Sequence, residues 1–446
     1  MMPSVLEEWP WAYVLLDSET MQYCHYCFRR CDDLLECSVC EFAVYCNTKC
    51  QKNAWPDHSG ECFLIARTPY DLPTTIVRLI SRVLIKINMQ GLKSDILMTT
   101  TLTDYKKPNF EELDSHYKEI NEDASKATNF TQCMHQLHMF MDAERLPAAA
   151  RLVDIYGKVN SHYVRIRIHT NALQIAFNSL LILNNDLNPI GLGIYLTFSQ
   201  FQHSCLPNSA VVFNGPTAIL NYLGSTPPEK KDAAASYTIS YGPIIEETEM
   251  RRRYLYNNYY FVCQCPRCSD ENFDLIASSL SCKTENCPGH VAFRQSNEMP
   301  VASATSSSDS TEFHADALTQ YEELLPVFRY HIFALLPLYT SSETSHRHYL
   351  PANHPMLALT ELNAGNLQWK QKNWDAAKRH FIEAMNIMKF SHGRNHPLSR
   401  TVQQCIGACD AAKKGKRINK APSALQSIQK PKDQGKSSPA VPVKKP

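Results

Sequence analysis

The sequence predicts an α+β fold, in which short strands are interrupted by a compact cysteine-rich module and a helical insert and are followed by a helical C-terminal domain. Three observations predict it. Cysteine and histidine fall in four close pairs between Cys24 and Cys62. Apolar residues recur at helical spacing after that segment and again beyond residue 313. Between 161 and 262 the texture changes to short β-rich runs punctuated by Gly, Pro and Asn. A chain of 446 residues with 44% hydrophobic content is long enough for two or three cores. Its formal net charge of +1 excludes a global attraction to nucleic acid or membrane, so an electrostatic partner must meet a local patch.

Residues 1–23 are too few for a domain. Trp9, Trp11, Tyr13, Val14 and Leu15 suggest one strand that needs partners elsewhere. Residues 24–62 hold the pairs Cys24/Cys27, Cys37/Cys40, Cys46/Cys50 and His58/Cys62. Zinc takes four thiolate or imidazole ligands in a tetrahedron, and a short turn supplies two of them from one loop. Residues four apart on a helix also share a face, which suits Cys46/Cys50 and His58/Cys62. A disulfide framework is the competing reading. However, the seventeen cysteines follow no signal-peptide pattern and many stand at metal spacing, so a reducing compartment, nucleus or cytoplasm, is expected. With little apolar content in the module, metal is expected to supply much of its folding energy. Cys31 has no pair.

In residues 63–160, Ile76, Leu79, Ile80, Val83, Leu84 and Ile87 predict a helix from about 74 to 90, with Gly91 as its C-terminal cap. Met134, Leu137, Phe140 and Met141 repeat the pattern beyond a polar stretch near 100–130. Residues 161–262 read as strands at Tyr163–Ile168, Ala210–Phe213, Ala218–Tyr222 and Tyr237–Tyr241. A second cysteine cluster occupies 263–290, and 291–312 reads as a linker, with Ala302–Ser310 too polar to pack. Residues 313–412 return to helical patterning. Trp374, Ala377, Phe381 and Ala384 there match one helix pair of tetratricopeptide type. No uncharged apolar run of about 18 residues exists to span a bilayer. The best candidate, Leu324–Tyr339, is broken by Pro326, Arg329, His331 and Pro337 and reads as buried helix. The tail, 413–446, carries ten Lys or Arg against one acidic residue and is expected to be disordered, either a solvated tail or a nuclear-import or nucleic-acid patch.

Chemistry concentrates in two separated stretches. One runs from Gly191-Leu192-Gly193 to Gln202-His203-Ser204-Cys205-Leu206-Pro207-Asn208, the other from Tyr237-Thr238-Ile239-Ser240-Tyr241 to Cys263-Gln264-Cys265-Pro266-Arg267-Cys268. Cys263, Cys265 and Cys268 supply three corners of a zinc tetrahedron. Cys205 is the preferred fourth ligand, with Cys282 and Cys287 as competitors. Gly191 and Gly193 fail as a dinucleotide loop, because Leu196 stands where the third glycine would fall. Arg251, Arg252 and Arg253 read as the solvated face of a short helix rather than a binding patch.

The first cysteine segment, with Tyr45-Cys46-Asn47-Thr48-Lys49-Cys50-Gln51 and Ala54-Trp55-Pro56-Asp57-His58, closely resembles the MYND zinc finger. The resemblance implies interleaved sites, Cys24, Cys27, Cys46 and Cys50 in one and Cys37, Cys40, His58 and Cys62 in the other. It also implies binding of protein segments, often proline-containing. The two later stretches resemble the SET fold of protein-lysine methyltransferases and its post-SET zinc site. Together they make the chain similar to the SMYD family from about Pro10 through the post-SET cysteines and again from His354 to His396. The resemblance implies S-adenosylmethionine near Asn171, Ser199, Gln202, His203 and Phe261, a catalytic Tyr241, a lysine channel lined by Tyr241 and Tyr259, and three zinc ions.

Three departures accompany the match, one being the uncharged Gly242-Pro243 after the tyrosine strand, where the family often has a charged residue. No glycine precedes Gly60, so the chain is expected to lack the family's Gly-x-Gly turn and to begin inside the SET fold. Gln202 stands for the signature asparagine. The leading expectation is a protein-lysine N-methyltransferase acting on histone or non-histone proteins. The alternative is a catalytically weak or inactive scaffold that binds partners through the finger. Direct nucleic-acid binding lacks any base-reading element in the sequence.

Overall fold

The computed structural model of the chain describes residues 4–68, 72–90, 97–102, 108–159, 179–225, 234–270, 273, 279–281, 290–292, 302–303, 347 and 350–414. Asn171, Gly91, Cys282, Cys287, the expected strand at Tyr163–Ile168, the apolar run Leu324–Tyr339 and most of the basic tail lie outside them. In chain order the elements begin with β1 (Leu6–Glu8), β2 (Ala12–Leu15), β3 (Leu35–Glu36), β4 (Val44–Tyr45), α1 (Thr48–Arg67), α2 (Thr75–Gln90) and β5 (Met98–Thr100). There follow α3 (Tyr117–Glu122), α4 (Ala124–Phe140), α5 (Ala149–Val159), β6 (Ser179–Leu183), β7 (Pro189–Ile194) and β8 (Gln202–His203). The remainder are β9 (Ser209–Asn214), β10 (Thr217–Tyr222), β11 (Thr238–Ile239), α6 (Thr248–Tyr259), β12 (Ser279–Ser281), β13 (His290–Ala292), β14 (Ala302–Ser303), α7 (Pro355–Lys370), α8 (Trp374–Ser391) and α9 (Pro397–Lys413). Among the described residues no helix is long and apolar enough to cross a membrane.

The N-terminal segment forms two strands where the sequence suggested one. Pro10 separates them: it has no N–H to donate to a ladder, and the chain leaves one sheet for another there. β1 joins an antiparallel sheet of order β5-β1-β10-β9, with Leu6 opposite Leu220 and Thr100. β2 joins β2-β7-β6, with Val14 opposite Leu192. Gly191 lies inside β7 rather than in a loop. A Cβ there would stand 2.3 Å from the Phe28 ring, so close backbone packing explains the glycine. β8 and β11 form a short parallel pair, with Thr238 beside Gln202 and Ile239 beside His203. That pair brings the two chemically interesting stretches together.

The predicted helix over 74–90 is α2. Its Val77, Leu79, Ile80, Val83 and Leu84 are buried against Trp11 and Val14 of the N-terminal segment, Leu192 and Ile194 of β7, and Leu137, Phe140, Leu152 and Ile155 of α4 and α5. Each such side chain contributes about 1.5–3 kcal/mol when fully buried. The same cluster takes in Ala54, Leu64 and Ile65 of α1 and the cysteines of the finger. The finger thus has apolar support as well as its metal ligands. The polar stretch near 100–130 holds α3 and half of α4, fixed by buried Phe110, Leu113 and Ile120. Within the expected linker, Ala302–Ser303 pair with β13, since backbone pairing requires no large side chain.

At the C-terminus Ala377, Phe381 and Ala384 are buried on α8, and Trp374 meets Trp369 edge-on. These helices dock on β9 and β10 through polar contacts: Asn221 Nδ2 donates to Ser391 O at 2.9 Å and Asn353 Nδ2 to Leu223 O at 2.7 Å. His396 Nδ1 accepts the Leu398 N–H, which leaves the proton on Nε2 to donate to Phe213 O at 2.9 Å. The His392 ring lies 4.9 Å from that of His396, and His354 adds a third imidazole nearby.

Burial lowers the pKa of both His392 and His396 below 6.5. The unfolded chain therefore binds protons that the fold excludes. Stability from these residues is complete above about pH 6.5 and falls as the pH drops toward the folded values. Glu8, raised to about 7 by burial, works in the opposite direction, so the test is a difference. Between about pH 7.5 and 5.5 the melting temperature of the wild type is expected to fall more than that of His396→Gln, whose side-chain N–H still reaches Phe213. Equal slopes would contradict the assignment.

Candidate functional site

Among the described residues twelve cysteine and histidine side chains gather into three clusters, and within each the ligand atoms lie within 4.8 Å of one another. The first holds Cys24, Cys27, Cys46 and Cys50; the second Cys37, Cys40, His58 and Cys62; the third Cys205, Cys263, Cys265 and Cys268. Sulfur separations of 3.7 Å (Cys27–Cys46), 3.4 Å (Cys46–Cys50), 3.7 Å (Cys37–Cys62), 3.9 Å (Cys205–Cys263) and 3.5 Å (Cys205–Cys268) suit a tetrahedron. With Zn–S bonds of about 2.3 Å its edge is about 3.8 Å. The donor sets, thiolates with one imidazole, fit zinc.

His58 and Cys62 share a face of α1, as their spacing suggests, but Cys46 does not belong to the helix. Asn47 caps α1, its Oδ1 accepting the Cys50 N–H at 2.8 Å, so Cys46 stands ahead of the first turn. His58 turns Nε2 toward Cys40 Sγ at 3.5 Å and Nδ1 toward Glu61 Oε1 at 3.1 Å. A ligating imidazole that donates its second nitrogen to a carboxylate is held in one tautomer and made more basic. Glu61, only 3% exposed, also takes Arg82 in a two-point pair at 2.5 and 2.8 Å. Burial opposes its charge, yet Arg82 and His58 keep the carboxyl well below the usual carboxylate range. Arg82 in turn donates to the Tyr13 carbonyl of β2. The finger is thereby tied to the β module through the outer bonds of a zinc ligand.

The third cluster is closed by residues 58 and more positions apart in sequence, Cys205 on one side and Cys263, Cys265 and Cys268 on the other. The expectation that Arg251, Arg252 and Arg253 form a solvated face is overturned for the first two. Arg251 is 1% exposed, with Nη2 3.4 Å from Cys268 Sγ and 2.6 Å from Thr248 Oγ1. Arg252 donates to the carbonyls of Cys263 and Cys268. Only Arg253 faces water, paired with Glu249. The physical reason is that α6 packs across a thiolate cluster, where guanidinium donors offset negative charge.

Beside this cluster several aromatic rings pack together. Tyr241 stands 5.0 Å, centroid to centroid, from Tyr259, 6.5 Å from Phe261 and 5.2 Å from the ring of His203. The Tyr241 hydroxyl donates to Phe201 O, and the Tyr259 hydroxyl donates to Tyr241 O at 3.0 Å. With both protons committed to carbonyls, the two phenol oxygens can act only as acceptors, and that of Tyr259 already meets the Tyr254 hydroxyl. Burial pushes Tyr241 up to about 12, so its proton stays at neutral pH. Gly242 follows because a Cβ there would strike the Tyr254 ring at 2.6 Å. His203 Nδ1 accepts the Tyr241 N–H at 3.0 Å, and its Nε2 lies 3.2 Å from Cys205 Sγ.

The MYND finger family matches residues 24–62. Histone-lysine N-methyltransferase SMYD3 of Homo sapiens is 28% identical to this chain, covering 90% of it and 91% of the relative. Histone-lysine N-methyltransferase ASHR1 of Arabidopsis thaliana is 26% identical over 89% and 88%, and N-lysine methyltransferase SMYD2 of Sus scrofa 23% over 89% and 90%. Over most of its length the chain is similar to methyltransferases of the SMYD family.

Of the positions that the SMYD resemblance assigns to the cofactor, His203 and Phe261 meet at 5.8 Å, and Ser199 Oγ donates to Leu196 O at 2.6 Å on the same loop. Gln202 is exposed on β8, so among the described residues its extra methylene meets no tight packing. Glu8 is a residue that motif reading missed. It is fully buried, and its carboxylate accepts the N–H groups of Thr197 and Phe198 at 3.1 to 3.3 Å. It pins the turn that leads into Ser199–His203. The only sequence signal was an acid inside the apolar run Leu6–Leu15. A second missed residue is Lys126, which donates to Asn257 O at 2.9 Å and sits 3.8 Å over the Tyr260 ring, fastening α4 to α6.

Proposed function

We propose that the chain is a protein-lysine N-methyltransferase of SET type, with S-adenosylmethionine as methyl donor. Tyr241 is its catalytic residue, Tyr241 and Tyr259 line the lysine channel, and the Cys205 cluster serves as a post-SET zinc site. The observation that carries the reading is the packing of Tyr241 and Tyr259 beside His203 and Phe261. Two phenol oxygens whose protons are spent on backbone carbonyls offer acceptors to N–H donors, in surroundings of His203, Tyr254 and Phe261.

A lysine amine, with a free pKa of about 10.4, must shed its proton before its nitrogen can attack. Burial among aromatic rings favours the neutral amine. Its remaining N–H groups then point to Tyr241 Oη and Tyr259 Oη, which leaves the lone pair directed along the channel, so catalysis is chiefly positioning. S-adenosylmethionine would supply an electrophilic methyl on a sulfonium cation, and these aromatic faces suit a cation. Asn171, Ser199, Gln202, His203 and Phe261 would hold it.

Protein substrates, histone tails or other lysine-bearing proteins, follow from the chemistry. Leu35, Val39 and Trp55 of the finger remain exposed, which supports binding of proline-containing segments there. Nucleus and cytoplasm are the compartments this role fits. The test is calorimetric titration of S-adenosylmethionine into zinc-replete protein. Micromolar binding is expected; a folded, zinc-loaded sample without detectable heat of binding would turn the reading toward a scaffold acting through its finger.

A further inference from the structure

We propose that the His203 side chain is a positioning residue through which the Cys205–Cys263–Cys265–Cys268 cluster sets the place of Tyr241. The inference rests on the role just given to Tyr241. The parallel pairing of β8 with β11 stops at His203 and Ile239, and Ser204 N donates to Ile239 O at 3.0 Å. Two residues further on, the Tyr241 N–H turns to the imidazole, donating to Nδ1 at 3.0 Å. An accepting Nδ1 carries no proton, so the ring N–H is on Nε2, which faces Cys205 Sγ at 3.2 Å. A ring N–H directed at a ligating thiolate is an outer-sphere, charge-assisted bond of the kind that orients metal ligands. One imidazole thus joins a zinc ligand to the backbone of the channel tyrosine.

Both ends of the bridge are otherwise fixed. The Cys205 carbonyl accepts Arg267 Nη1 at 3.1 Å, while Cys268 takes Arg251 at its sulfur and Arg252 at its carbonyl. Tyr241 is held at its hydroxyl by Phe201 O, two residues before His203. The segment Phe201–His203 therefore grips Tyr241 at its tip and at its base. The ring cannot swing freely, being packed between Tyr241 at 5.2 Å and Phe261 at 5.8 Å. A change at the cluster that alters the Cys205 sulfur moves the imidazole, and with it the base of Tyr241 relative to Phe201.

Two substitutions split the bridge. The His203→Asn carbonyl still accepts the Tyr241 N–H but is too short to reach Cys205. His203→Gln reaches the sulfur with an N–H but releases Tyr241. The full chain is prepared with cadmium in place of zinc and with isotope-labelled tyrosine. In His203→Asn the cadmium resonance of this all-sulfur cluster is expected to move while the Tyr241 amide resonance stays; His203→Gln should show the reverse.

In the zinc proteins both variants are expected to lower kcat, read at saturating S-adenosylmethionine, about ten- to a hundredfold. The asparagine variant is decisive, because a purely local role at Tyr241 would leave its kcat intact. An unmoved cadmium signal with kcat within about twofold of wild type would overturn the proposal. Should either variant fail to retain three metals, labelled histidine in the wild-type protein decides. A proton on Nε2 whose resonance shifts between zinc and cadmium supports the bridge, and a proton on Nδ1 overturns it. Absence of any methyl transfer by the wild type would fail the reading of Tyr241, while the resonance measurements still decide whether the bridge exists.

Discussion

Replacing Tyr241 with phenylalanine is expected to lower methyl transfer by about a hundredfold or more, with zinc content unchanged and affinity for S-adenosylmethionine nearly so. The hydroxyl is the only part of the residue removed, and it has two tasks. It holds Phe201 O, and in the mechanism proposed above it offers its lone pairs to the incoming amine. The first loss leaves one carbonyl without its donor and costs about 1–3 kcal/mol, too little to unfold a chain with cores as large as those built around α2, β7 and α8. The second removes the acceptor that orients the nucleophile. Turnover in Tyr241→Phe equal to that of wild type would refute the assignment. A large loss of zinc would mean that the residue supports the fold instead.

The largest effect on stability is expected from Glu61→Leu. The carboxylate stands between the zinc-ligating His58 and Arg82, and all three are buried. Without it Arg82 is a buried charge that keeps the Tyr13 carbonyl and ring and a more distant Asp57 but no direct ion-pair partner, a loss that costs about 3–5 kcal/mol. His58 also loses the acceptor that fixes its tautomer, which weakens metal binding about ten- to a hundredfold. Competition with a chromophoric chelator should show one of the three zinc ions released far more readily than in wild type. The double change Glu61→Leu, Arg82→Met should recover part of the stability but not the zinc affinity. Three equally retained ions in the single variant would contradict the coupling.

The zinc clusters were legible because ligand spacing is itself the geometric requirement: two residues in one short turn supply one edge of a tetrahedron. Even the remote Cys205 could be named, since three cysteines leave one corner open. α2 was legible because its apolar residues repeat at the helical period. What sequence could not show is which side of an element meets which partner. Arg251 and Arg252 read as solvated from their charge, but α6 turns them onto thiolates and carbonyls. Pro10 split one apparent strand into two because pairing partners from β10 and β7 lie far along the chain. The meeting of His203 with Tyr241 depends on a two-residue parallel pair too short to leave a periodic signal. Glu8 follows the same logic, since its partners are backbone amides whose position only the fold determines.

The measurement that bears most directly on the central claim is transfer of an isotopically labelled methyl group from S-adenosylmethionine by the wild-type chain. The acceptors are histones and a library of lysine-containing peptides, read by mass spectrometry. The account predicts label on lysine side chains, lost when Tyr241 becomes phenylalanine. A zinc-loaded protein that binds the cofactor but labels no lysine, or that labels equally without the Tyr241 hydroxyl, would contradict it.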